Sequence, residues 1–119
     1  MAYREPIQVL VYCFRRKNDG HEYLLLKTVP KRGSFYQGVT GAIEKGENLI
    51  DAAKREVKEE TGIIPEHIYR LDYSYSLPVA DEWRFQYHPN VDKVTEYSFL
   101  AGVQPTSEPV FVQSINHLC

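Results

Sequence analysis

The stretch from Gly41 to Ile63, GAIEKGENLIDAAKREVKEETGI, contains six acidic residues. Three of these acids, Glu56, Glu59 and Glu60, lie within five positions of one another. On a helix, Glu56 and Glu60 stack one turn apart and Glu59 lies beside them. Because clustered carboxylates repel one another, they need a partner of opposite charge. A hard divalent cation with oxygen ligands satisfies that need.

The composition is that of an ordinary globular protein and predicts one domain over residues 1–119. The net charge of −2 gives no indication of a nucleic-acid or membrane partner. Two cysteines, one of them the last residue, form no disulfide framework and are typical of a reducing compartment. The N-terminus has no apolar segment of the kind found in signal peptides. We therefore expect a cytoplasmic protein.

The rest of the chain predicts strands on both sides of one strong helix, which indicates a mixed α/β domain. Turn chemistry at Asn18-Asp19-Gly20 predicts a hairpin with positive φ at its glycine. The segment 80–93 is expected to be a loop or a short edge strand. The strands are predicted at 7–14, 21–28, 67–77 and 95–103, with short extended segments at 34–40 and 110–112.

The helix begins after Asn48, a favourable N-cap with Asp51 three residues on. Gly62 stands where a glycine ends a helix in the left-handed conformation. The apolar residues expected to share the buried face are Leu49, Ile50, Ala53 and Val57.

The spacing from Gly41 to Ile63 resembles the signature of the Nudix hydrolases, G-x5-E-x7-R-E-U-x-E-E-x-G-U, at every specified position. Nine positions are fixed in identity or class. A charged helix face alone usually faces solvent, but the matching residues outside the helix argue against that interpretation here. The resemblance implies an α/β/α sandwich with a mixed sheet.

The resemblance also implies a reaction, the hydrolysis of a phosphoanhydride bond in a nucleoside diphosphate linked to a further group. The substrate is a polyanion, so such enzymes use Mg²⁺, or Mn²⁺, to hold it and activate water. By position, Glu56 and Glu60 resemble the principal metal ligands. Glu59 resembles a further ligand or a base that orients water.

The same resemblance implies roles for three more residues. Arg55 lies four residues before Glu59, so that an ion pair can orient this carboxylate. Glu47 resembles an outer carboxylate that does not itself bind metal. The backbone carbonyl of Thr40, just before the signature, resembles a further metal contact.

Outside the signature, the approach FYQGVTGAIEKGE resembles one group of the family, the dihydroneopterin triphosphate and dATP pyrophosphohydrolases. The implied reaction converts a triphosphate and water into a monophosphate and pyrophosphate. Aromatic and polar side chains flanking the signature are the predicted substrate contacts, because a purine or pterin ring stacks on aromatic groups. These residues are Tyr36, Gln37, Trp83, Arg84 and Tyr87. Tyr69, Tyr73 and Tyr75 are expected instead to cover a face of the sheet.

In the resembled group the chain continues with a Glu-His pair and a final helix, whereas here Asn116 stands in place of that glutamate. We expect the C-terminal helix to be missing or shortened. Either the gene is truncated, or a shortened domain covers its exposed flank by forming a homodimer. Glu96 or Glu108 is an alternative for the late glutamate. Two alternative functions stay open: a non-catalytic module that binds a nucleotide or a partner, and a hydrolase of oxidised nucleotides.

Overall fold

The structure is a computed structural model that describes residues 3–27 and 36–109. The strand predicted at 110–112 lies outside the described residues, as does Asn116. In chain order the elements are β1 (Ile7–Lys17), β2 (Gly20–Leu24), β3 (Leu26–Lys27), β4 (Tyr36–Gln37), β5 (Val39–Ala42), α1 (Leu49–Thr61), β6 (His67–Pro78), a 3₁₀ helix (Asp81–Gln86) and β7 (Lys93–Gly102).

The sheet is mixed, as predicted. Its strand order is β2-β1-β7-β6, and β5 also pairs with β1. The β1–β7 pairing is parallel, while β2, β5 and β6 pair antiparallel with their neighbours. A separate two-stranded ribbon joins β3 to β4 immediately before β5. This arrangement places the strand that leads into the signature against the central strand β1.

The hydrophobic core lies between α1 and one face of the sheet. Alternate residues of β1 and β7 point into it, as expected for strands with one face packed against a helix. The buried cluster comprises Val9, Val11, Cys13, Leu26, Val39, Ala52, Ala53, Val57, Ile63, Phe99, Ala101 and Val103. The small side chains of Ala52 and Ala53 let α1 approach the sheet closely. Within residues 3–27 and 36–109, the opposite face carries no α-helix.

Both predicted helix ends are confirmed. Asn48 Oδ1 accepts a hydrogen bond of 2.8 Å from the Asp51 backbone N–H. At the other end Gly62 has φ 78°, and its N–H donates to the Lys58 carbonyl at 2.9 Å. The expected burial of Ile50 is wrong, because this residue is 42% exposed. The buried face is set by the angle at which α1 meets the sheet, which helical periodicity does not specify.

Two loop predictions are also wrong. The turn between β1 and β2 places positive φ at Asn18 (φ 53°) rather than at Gly20, since asparagine tolerates the left-handed conformation well. The segment predicted as a loop or edge strand contains the 3₁₀ helix Asp81–Gln86. The Arg84 guanidinium donates to the carbonyls of His88, Pro89 and Val91, which fixes the chain after this helix. No helix among the described residues is long and apolar enough to cross a membrane.

Replacing Gly62 by alanine is expected to lower the free energy of unfolding by about 1–2 kcal/mol, because a φ of 78° is strained for alanine. Gly20→Ala is the matched control, since Gly20 lacks positive φ and a Cβ there meets nothing within 4 Å. Urea unfolding measures both variants. Equal stability of the two would contradict the left-handed cap at Gly62.

Candidate active site

The helix α1 presents its three clustered glutamates at different depths. Glu60 is buried, the Glu56 side chain is 14% exposed and the Glu59 side chain is 53% exposed. This difference in burial follows from helical geometry, because positions 56 and 60 lie on the side of the helix that faces the sheet. The exposure of the three predicted acids therefore increases from Glu60 through Glu56 to Glu59.

The Arg55 guanidinium binds two of these acids, Glu56 and Glu59, together with Glu47. Arg55 Nε and Nη2 form a forked pair with Glu47 at 2.8 and 2.9 Å. Its Nη1 donates to Glu56 at 2.7 Å and to Glu59 at 3.0 Å. Nη2 also donates to the Ala42 carbonyl at 3.0 Å. The predicted Arg55–Glu59 ion pair is confirmed, and the pairs with Glu47 and Glu56 were not foreseen from the sequence.

Glu47 connects the helix to the loop that precedes it. Besides pairing with Arg55, its Oε1 accepts the Glu44 backbone N–H at 2.9 Å. The Arg55 hydrogen bonds hold the pKa of Glu47 below its usual range, so this carboxylate stays ionised. Glu47 thus fixes the orientation of the Arg55 guanidinium. This contact agrees with the prediction that Glu47 positions other groups and does not itself bind metal.

The packing around Gly41 explains why the signature begins with a glycine. On β5, Gly41 lies opposite Val9 of β1, and the Glu56 carboxylate rests directly over its backbone. A Cβ built at Gly41 would overlap this carboxylate. The absence of a side chain is therefore what admits Glu56 to this position on the sheet.

Glu56 and Glu60 form a buried pair of carboxyl groups. Burial raises the pKa of Glu60 to about 9, and the adjacent Glu56 adds to this effect. Burial also raises the pKa of Glu56, whereas its hydrogen bonds to Glu60 and Arg55 lower it. The pair therefore favours a shared proton or a cation between its oxygens.

The available ligand atoms fit a hard divalent ion, because they are carboxylate oxygens. They lie over Gly41, in a space that any side chain at this position would fill. Within the described part of the chain, however, no three acidic, histidine or cysteine side chains already converge as a metal cage. The carboxylates turn toward Arg55 and toward one another instead. Thr40, the predicted carbonyl contact, lies on β5 next to Gly41.

The predicted substrate contacts lie in two separate segments. Tyr36 and Gln37 form β4, two residues before β5, and Tyr36 is 63% exposed. Trp83 and Arg84 belong to the 3₁₀ helix, and Tyr87, which follows it, is buried. A substrate role for all five stays a prediction, although Arg84 also has the structural role described above.

The comparisons with known proteins agree with the site. A model of the NUDIX domain matches residues 6–114, and the chain belongs to this family. The chain is 30% identical over 118 residues to the dihydroneopterin triphosphate diphosphatase of Escherichia coli K12, a match that covers 96% of this chain and 77% of that protein. The Haemophilus influenzae protein of the same name is 28% identical, with 98% and 74% covered.

Solved structures give the same result. A NUDIX hydrolase from Listeria monocytogenes aligns with a TM-score of 0.77 at 27% identity, covering 96% of this chain and 74% of that one. The E. coli dihydroneopterin triphosphate pyrophosphohydrolase aligns with a TM-score of 0.74 at 27% identity, covering 100% and 80%. The protein is a Nudix hydrolase, an enzyme that acts on phosphoanhydride bonds.

Arg55→Lys is expected to reduce kcat/KM by about 10–100-fold, because an ammonium group cannot make the forked contact that positions the carboxylates. Arg16→Lys is the matched control, since Arg16 is exposed on β1. Steady-state hydrolysis of a nucleoside triphosphate measures both variants. If Arg55→Lys retained full activity, the forked contact would not position the site.

Proposed function

We propose that the protein is a Mg²⁺-dependent pyrophosphohydrolase that cleaves a (deoxy)nucleoside or dihydroneopterin triphosphate to a monophosphate and pyrophosphate. The observation that carries this proposal is the carboxylate cluster of α1 gathered around Arg55 within a complete signature. The relatives named dihydroneopterin triphosphate diphosphatase support the choice of substrate class. A cytoplasmic location and Mg²⁺, with Mn²⁺ as a substitute, belong to the proposal.

Glu56 and Glu60 would hold the cation, with Glu59 and the Thr40 carbonyl as further contacts. When bound, the cation neutralises charge on the phosphates and lowers the pKa of water. Arg55 and Glu47 hold the Glu56 carboxylate against Gly41, which positions this one ligand before a cation binds.

Glu59 differs from the other two acids because its carboxylate is half-exposed, and among residues 3–27 and 36–109 its hydrogen bonds come from Arg55. An ionised carboxylate in this position can orient a water molecule and accept its proton as the phosphoanhydride bond breaks. The hydrogen bonds from Arg55 orient this carboxylate. Glu59 is therefore proposed as the water-orienting base or a further cation ligand.

The ring and sugar of the substrate are proposed to contact Tyr36 and Gln37, which directly precede the signature strand, and the segment carrying Trp83, Arg84 and Tyr87. Tyr36 projects into solvent, as a stacking side chain in an open site would.

Glu56→Gln is expected to lower kcat at least about 100-fold while the fold persists, because it removes a negative charge that the cation needs and leaves the side-chain volume unchanged. Glu66→Gln, at an exposed position outside α1, is the matched control. Pyrophosphate release from a panel of triphosphates with Mg²⁺ measures activity, and thermal unfolding measures the fold.

Failure of the unaltered protein to hydrolyse any triphosphate would overturn the proposal and favour a non-catalytic binding module. Full activity of Glu56→Gln would show that the cluster on α1 is not the catalytic centre. Faster turnover of oxidised than of ordinary triphosphates would favour the nucleotide-sanitising alternative.

A further inference from the structure

A groove of about 700 Å³ lies between the first turn of α1 and the strands β6 and β7. It is open to solvent and large enough to admit several side chains. Glu56 and Glu60 do not line it, so it is distinct from the pair of acids proposed to hold the cation. Its apolar and aromatic lining residues are Ile7, Ile43, Leu49, Ile50 and Tyr97.

The walls of the groove carry opposite charges. On β6, the Arg70 guanidinium lies over the Tyr97 ring, with its central carbon 4.9 Å from the ring centroid. Asp51 lies on the wall formed by α1 and is exposed. Within residues 3–27 and 36–109, neither Arg70 nor Asp51 forms an ion pair. The other acid that lines the groove, Glu47, is paired with Arg55. Arg70 and Asp51 are therefore available to charges on a partner.

The first turn of α1 also forms a ridge beside the groove. Ile50 and Asp51 are both exposed on this turn. An exposed aliphatic side chain leaves apolar surface in water, and its burial against another apolar surface is favourable. The ridge thus offers an apolar side chain beside an acid, while the groove offers an apolar floor beside a cation. Because the ridge is one wall of the groove, it fits the groove of another copy and not its own.

Charge selects a second copy of the chain as the occupant of the groove. An acidic peptide would pair with Arg70 but would lie against Asp51, and a basic peptide would meet the reverse conflict. A two-fold pair satisfies both charges, because the ridge of each copy enters the groove of the other. Asp51 of each copy then reaches Arg70 of the other, and each Ile50 packs on the apolar floor of the opposite groove. Every contact occurs twice.

We infer that the protein forms a two-fold homodimer through this ridge and groove. The inference goes beyond the proposed hydrolysis and does not rest on it, because association is measured without any substrate. The dimer places the partner on the α1 side of the sheet.

The test exchanges the two charges and measures association by sedimentation velocity. Arg70→Glu alone brings two acids together in each contact, and Asp51→Arg alone brings two arginines together. Each variant is expected to raise the Kd of the dimer about 10–100-fold, because attraction becomes repulsion at two sites. An equimolar mixture of the two variants is expected to associate as the unaltered protein does, since both contacts are again attractive. Native mass spectrometry then identifies dimers that contain one copy of each variant.

Ile50→Ser tests the apolar part of the same interface. Removing this side chain from both copies is expected to raise the Kd of the dimer about 5–30-fold, because apolar surface that the dimer buries is lost. Ile64→Ser is the matched control, since Ile64 is also exposed but does not line the groove. Its Kd should equal that of the unaltered protein.

An unaltered protein that sediments as a monomer at every concentration would overturn the inference. A dimer that either charge variant leaves intact would do the same, as would a mixture of the two variants that stays monomeric. Equal weakening by Ile50→Ser and Ile64→Ser would place the interface elsewhere and also overturn it. None of these outcomes depends on whether the protein hydrolyses a triphosphate.

Discussion

The structure around the signature depends on a single constraint, which is that the Arg55 guanidinium is shared among several glutamates and one backbone carbonyl. The fork to Glu47 fixes its plane, and the remaining N–H groups then reach Glu56, Glu59 and Ala42. Because the side chain of Arg55 is only 23% exposed, these contacts are less screened than those of surface pairs. The arginine thus ties the loop before α1, the end of β5 and two of the clustered acids of the helix into one unit.

This unit places two carboxyl groups where burial disfavours their ionised forms. Glu56 and Glu60 are desolvated against each other, and Gly41 gives them room only because it has no side chain. Arg55 offsets part of the negative charge, and the described residues do not form a ready-made metal cage. A divalent cation would supply the rest. The same burial that disfavours charge on Glu56 and Glu60 therefore favours a cation beside them, which connects the fold of the signature to its chemistry.

Much of this was predictable from local sequence. Asn48 and Gly62 mark the ends of α1 because capping depends on single residues, and the strands follow from apolar alternation. The signature predicted which acids cluster. The position of Glu56 over Gly41 and the reach of Arg55 to Ala42 depend on how α1 sits on β5, which spacing does not encode. The parallel pairing of β1 with β7, which places Glu96 beside Gln8, was also not predictable from the sequence. Ile50 was misjudged for a related reason, since its exposure reflects the packing angle of the helix.

Diffraction from crystals soaked in Mn²⁺ tests the central claim most directly, because the anomalous signal locates the ion without reference to activity. The account predicts an Mn²⁺ peak in contact with the Glu56 and Glu60 carboxylates, with the Arg55–Glu47 fork unchanged. An ion bound away from α1, or one that displaces Arg55 from Glu47, would contradict it.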